Sequence, residues 1–134
     1  MLPTNTGLVF HMANILIIDD SPTDVRVFTT LLERAGYKVD SVGSAEEGIE
    51  RVRLDKPNLV IMDVIMPGMN GFQATRTLTR DPATSNIPIV MITTKSMETD
   101  RVWGLRQGAR AFITKPVNEK DLLACINDLL PNAA

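Results

Sequence analysis

The chain predicts an α/β fold, a doubly wound, five-stranded parallel sheet with helices on both faces. Three observations carry this. Five short apolar runs alternate with five segments of helical periodicity. Three of the runs, ILII, LVIM and IPIVMI, are apolar almost throughout, as strands covered on two faces are. Capping residues punctuate the passage from run to helix, and such βα alternation closes through right-handed crossovers.

The first strand is read at Ile15 to Ile18. Ser21-Pro22-Thr23-Asp24 then combines an N-cap serine, a proline at the first helical position and a capping-box acid. Val25, Phe28, Leu31, Leu32 and Ala35 line one side of that helix, and Gly36 stops it. The second strand, Tyr37 to Val42, leads into Ser44-Ala45-Glu46-Glu47, a capping-box pattern ahead of Ile49 and Val52. The third strand is Leu59 to Met62, and its helix, Gly71 to Leu78, opens after Pro67-Gly68 and closes at Asp81-Pro82. The fourth, Ile87 to Ile92, precedes a helix from Thr99 to Gln107 that ends at Gly108. The fifth, Ala111 to Ile113, is followed by Asn118 to Asp121, which cap a helix carrying Leu122, Leu123, Ile126, Leu129 and Leu130, with Pro131 ending it.

Length and composition bound the function. At 134 residues, one domain with one substantial core is the expectation. A net charge of -2 leaves no basic footprint for nucleic acid or an anionic membrane. No apolar run nears the roughly 20 residues of a membrane-spanning helix. Cys125 is the single cysteine, so no internal disulfide forms, which fits a reducing, cytoplasmic setting. Residues 1–11 show no periodicity and end just before a second start-like Met12-Ala13. They read as an expression leader or a disordered arm, with residues 12–134 as the single domain. Setting that stretch aside removes His11, the only histidine, and with it histidine-based catalysis and ligation.

Ligands of such sheets bind outside the carboxyl ends of the strands, where the strand order reverses. There stand Asp19 and Asp20 after the first strand, Asp63 after the third, Thr93 and Thr94 after the fourth, and Lys115-Pro116 after the fifth. Any one of them is ordinary, because strand-end aspartates mostly cap or turn. Together they are specific. Three neighbouring carboxylates raise each other's pKa unless a cation or a salt bridge offsets them. Oxygen-only donors favour Mg2+ or Mn2+, and Lys115 supplies the other compensating charge. This is a site for a tetrahedral dianion, with Thr93 donating a hydrogen bond and an aspartate placed for in-line attack.

The segments ILIIDDS, LVIMDVIMPGMNG, IVMITT and FITKPV resemble the signature set of bacterial response-regulator receiver domains, the CheY-like family, across Asn14 to Leu130. The resemblance implies a sheet of strand order 2-1-3-4-5 and a phosphoacceptor at Asp63. It also implies a metal site of Asp19, Asp20 (the direct ligand), Asp63 and the Ile65 backbone carbonyl. Lys115 would bind the phosphoryl group, Thr93 and Phe112 would form the switch pair, and Gly71 with Met66-Pro67-Gly68 would shape the adjoining loop. A histidine kinase of the CheA type would donate the phosphoryl group. The output would pass through the face of the fourth helix, fifth strand and fifth helix, with Trp103 as a candidate partner contact. That output would act on an effector protein or drain phosphoryl groups from a shared kinase, and the expectation is a stand-alone regulator, monomeric or weakly dimeric on phosphorylation.

Two departures from the family pattern stand out. Asn70 replaces a common Asp at a position expected to be structural and exposed, and Phe112 replaces a common Tyr, so it rotates without donating a hydrogen bond. The runs TTKSMETDRVWGLRQGARAFITKPV and NGFQATRTLTRDPATSNIP resemble, more narrowly, PilH-type regulators of the chemotaxis-like pathway that controls type IV pili and twitching motility. Slow self-hydrolysis is expected, since neither Ile65 nor Lys95 would orient an attacking water. An aspartyl-phosphate phosphohydrolase is the alternative, but it would want an Asp-x-Asp pair where this chain has Asp19-Asp20. A flavodoxin-like FMN carrier would need a Ser/Thr/Gly-rich phosphate loop and more aromatics than this chain's six.

Overall fold

The computed structural model describes residues 13–130, so the expected leader and the helix-ending Pro131 lie outside the described residues. Five strands alternate with five helices: β1 (Asn14–Ile18), α1 (Pro22–Arg34), β2 (Lys38–Val42), α2 (Ala45–Asp55), β3 (Leu59–Met62), α3 (Gly71–Arg80), β4 (Ile89–Thr93), α4 (Glu98–Arg106), β5 (Ala111–Thr114) and α5 (Glu119–Leu129). All neighbouring strands are parallel, in the order β2-β1-β3-β4-β5. The fold class read from the sequence and the strand order implied by the resemblance are borne out.

The period-two alternation of a strand divides the core into two layers. Ile15 and Ile17 of β1 and Leu59 and Ile61 of β3 pack with Phe28, Leu31 and Leu32 of α1 and with Leu122 and Ile126 of α5. Their neighbours Leu16, Ile18, Val60 and Met62 face the other way, against Ala45, Ile49 and Val52 of α2 and Ala74 and Leu78 of α3. A strand covered on both sides has no polar face, which is why these runs carry no alternation in the sequence.

The structure moves several boundaries. β4 starts at Ile89 rather than Ile87, because Pro88 has no N–H to give the ladder and contributes only its carbonyl, which accepts from Val60. Ala35, expected on the buried side of α1, is exposed because it is the C-cap, and Gly36 follows with φ +98°. The capping boxes are half formed. The side chains of Ser21, Ser44 and Asn118 accept from the backbone N–H groups three residues on. Among the described helices, the complete reciprocal box belongs to α3, where Asn70 and Gln73 exchange bonds of 2.9 and 3.0 Å. Asn70 is therefore structural as expected, but half-buried rather than exposed. No helix among the described residues is long and apolar enough to cross a membrane.

Leu32 is fully buried between α1 and the sheet, whereas Leu54 on α2 is 74% exposed. Leu32→Ala is expected to cost about 2–5 kcal/mol and Leu54→Ala to stay within about 0.5 kcal/mol, a contrast that urea denaturation reads directly.

Candidate functional site

Backbone bonding that outruns the strands builds the site. One residue beyond β1, the Asp19 N–H donates to the Val42 carbonyl (3.1 Å); one beyond β3, Asp63 donates to Ile18 (2.9 Å); and one beyond β5, Lys115 donates to Thr93 (2.8 Å). The ladder thus fixes three charged residues at the carboxyl edge before any side chain acts. Asp19 and Asp63 are buried and Asp20 is exposed, and one carboxylate oxygen from each lies within 4.8 Å of the others.

Local structure then orients the carboxylates. Oδ1 of Asp19 accepts the Ser21 N–H (2.9 Å), and Oδ1 of Asp63 accepts the Val64 N–H (2.8 Å). Gly71 lets α3 begin against the end of β3. A methyl group there would collide with the Asp63 carbonyl, and the Gly71 N–H donates instead to Val64 O (2.9 Å).

Lys115 reaches over this cluster, its Nζ 3.1 Å from Asp19, 3.8 Å from Asp63 and 2.7 Å from Asp24. Asp24 is the residue the sequence reading missed. Its place in the first turn of α1 marked it as a cap, yet its side chain goes to Lys115. The available signal was positional, since the turn after β1 lies at the same edge of the sheet as Asp19. Phe28, one helical turn after Asp24, has its ring centroid 6.0 Å from the same Nζ.

Electrostatics follow from this crowding. Burial raises the Asp63 pKa, and the Asp19 charge raises it further, against the opposing pull of Lys115, the Val64 N–H and the Thr93 hydroxyl. For Lys115, burial works to lower the pKa, but the hydrogen bonds to Asp24 and Asp19 and the nearby charges leave it raised. Three carboxylates, at Asp19, Asp24 and Asp63, thus share one ammonium, and the exposed Asp20 carboxylate adjoins those of Asp19 and Asp63. An all-oxygen donor set with unbalanced negative charge fits a hard divalent cation held by Asp19, Asp20 and Asp63.

The other sequence candidates frame the cluster. Thr93 ends β4 fully buried, and its hydroxyl accepts the Lys95 N–H at 3.3 Å. Lys95 turns its ammonium toward Asp100 of α4 (3.5 Å). Ile65 is 55% exposed, two residues beyond Asp63. Phe112 on β5 is partly buried. Its ring and the Met91 sulfur would both lie under 3 Å from a side chain at Gly104, so glycine lets α4 rest on them. Trp103, next to Gly104, is 47% exposed with Val102 and Leu105 also open to solvent, so it lies outside the acidic cluster. Cys125 is half-buried, its thiol pKa raised by burial and then by the Asp128 charge, as for a structural residue.

Comparison with known proteins agrees with this geometry. Residues 15–127 match the response regulator receiver domain. The chain is 53% identical over 119 residues to Protein PilH of Pseudomonas aeruginosa, covering 89% of this chain and 98% of that one. The fold superposes on the chemotaxis protein CheY4 of Vibrio cholerae with a TM-score of 0.82 at 28% identity, covering 89% and 99% of the two chains. It also superposes on the receiver domain of a sensor histidine kinase from Pseudomonas aeruginosa, with a TM-score of 0.82 at 23% identity over 88% and 97%. That structure has a magnesium ion coordinated in its active-site cleft.

The like charges of Asp63 and Asp19 strain the cluster when no divalent cation offsets them. Asp63→Asn is therefore expected to melt at a higher temperature than the parent at neutral pH in chelator. Added Mg2+ should narrow the gap, as calorimetry would show.

Proposed function

The chain belongs to the response regulator receiver family, and on that premise we propose that Asp63 accepts a phosphoryl group from the phosphohistidine of a CheA-like sensor kinase. The observation that carries this reading is the buried Asp63 carboxylate set between a second buried aspartate and a lysine at the switch point of the sheet. The 53% identity to PilH supports a place in chemotaxis-like signalling that governs pili. The single cysteine fits a cytoplasmic setting.

In this reading the Asp63 carboxylate attacks phosphorus, an O–P bond forms as the donor's P–N bond breaks, and the imidazole leaves. Mg2+ or Mn2+, held by Asp19, Asp20, Asp63 and the Ile65 carbonyl, would neutralise the oxygens of the group in transfer. The chain's own residues position and compensate. The Val64 N–H holds one Asp63 oxygen in place. Lys115 pairs with the new phosphoryl charge, and the Thr93 hydroxyl turns from the Lys95 N–H toward a phosphoryl oxygen. No external substrate is turned over, so the protein is a self-phosphorylating switch rather than an enzyme.

Movement of Thr93 vacates space at the end of β4, which the Phe112 ring fills. Because Phe112 lies against α4 at Gly104, its rotation shifts the balance between two arrangements of the α4-β5-α5 face. Exposed Trp103, Val102 and Leu105 make that face a docking surface for an effector protein.

Asp63→Asn is expected to abolish labelling by acetyl phosphate while leaving the far-ultraviolet circular dichroism unchanged; a labelled mutant would refute the acceptor assignment. Loss of the phosphoryl group should be slow, because Ile65 is apolar and Lys95 is drawn to Asp100. Ile65→Asn should speed that loss several-fold by offering a group to orient water, as phosphate release after removal of the donor would show.

A further inference from the structure

We propose that Asp24 is a positioning residue that holds the Lys115 ammonium on the α1 side of the site until a phosphoryl group on Asp63 draws it away. The inference rests on the receiver reading above and extends it to a residue outside the acceptor, metal and switch sets. Among the carboxylates near Lys115 Nζ, Asp24 is nearest at 2.7 Å, against 3.1 Å to Asp19 and 3.8 Å to Asp63. A 2.7 Å N–O separation is that of a strong charge-assisted hydrogen bond, whereas 3.8 Å leaves Asp63 with only a Coulombic share of the lysine. The lysine side chain is 12% exposed and that of Asp24 36%, so solvent screens their pair only in part.

Helix geometry explains why Asp24 is free for this task. An acid three residues after the N-cap would ordinarily bond back to the N-cap N–H. Here that donor, the Ser21 N–H, is already taken by Asp19 Oδ1 at 2.9 Å. Meanwhile the Asp24 N–H is anchored on Ser21 Oγ at 3.3 Å, which fixes the backbone from which the carboxylate reaches across. Phe28, one turn further, lies beneath the same ammonium, so α1 addresses Lys115 through two residues on one face. Two consequences follow. With Lys115 shared between Asp24 and Asp19, Asp63 stays open to a cation, and the phosphoryl group must compete with Asp24 for the lysine.

Removing only the charge separates these effects. Asp24→Asn should bind beryllofluoride, a phosphoryl mimic, at least threefold more tightly than the parent in saturating Mg2+. In the absence of fluoride, it should bind Mg2+ at least threefold more weakly, because the released lysine moves onto the carboxylates. Asp24→Glu should restore the parent's values of both constants. Calorimetric titration reads all of them. A merely structural role would weaken both constants together. That result, or no change in either, overturns the proposal. If the parent itself fails to bind beryllofluoride, the receiver reading fails first and this proposal with it.

Discussion

One ammonium shared by three carboxylates is the constraint around which the functional end of this molecule is arranged. A buried carboxylate is costly unless it is paired and hydrogen-bonded. Asp19 meets that condition through the Ser21 N–H and Lys115, and Asp63 through the Val64 N–H with a weaker share of Lys115. Burial, and after it the Asp19 charge, still leave the Asp63 pKa raised. A site left short of positive charge is prepared to receive a cation, and the same shortage keeps its single lysine under competing pulls.

The fold makes this crowding affordable by rigidity. Asp19, Asp63 and Lys115 each donate a backbone N–H to a neighbouring strand just past the end of their own, so the charged side chains start from fixed points. Behind them, β1 and β3 are buried on both faces, and the core clusters leave little room for the carboxylates to relax apart. Close approaches at Gly71 and Gly104 then bring α3 against the end of β3 and α4 against Phe112. Under the proposed function, stiffness at Asp63 and contact at Phe112 are the two requirements for a charge added at Asp63 to be felt on α4.

Particular residues show where sequence reasoning ends. ILII and LVIM could be placed as central strands because two-sided burial removes every polar position, a signal that is purely local. Asp63, Asp19 and Lys115 could be placed at one edge because parallel strands send all their carboxyl ends the same way. Asp24 could not be assigned in this manner. An acid in the first turn of a helix has a complete local explanation as a cap, and nothing nearby in the chain reveals that Asp19 has already taken the donor it would use. Asn70 is the reverse case, where the Asn-x-x-Gln spacing carried a capping box that was legible locally and passed unread.

What the sequence by itself determined is therefore the order of strands and helices, the cover of helices on both faces of the sheet and, Asp24 excepted, the groups that gather at the switch point. Those follow from hydrophobic periodicity, capping chemistry and the handedness of βα units, all properties of neighbouring residues. Only the tertiary structure decided how the Lys115 charge is divided, with Asp24 nearest and Asp63 farthest. It also decided that the Phe112 ring meets α4 at a glycine. These contacts join residues up to 96 positions apart. Their distances are set by how helices seat on the sheet, and electrostatic energy depends on distances that no local pattern encodes.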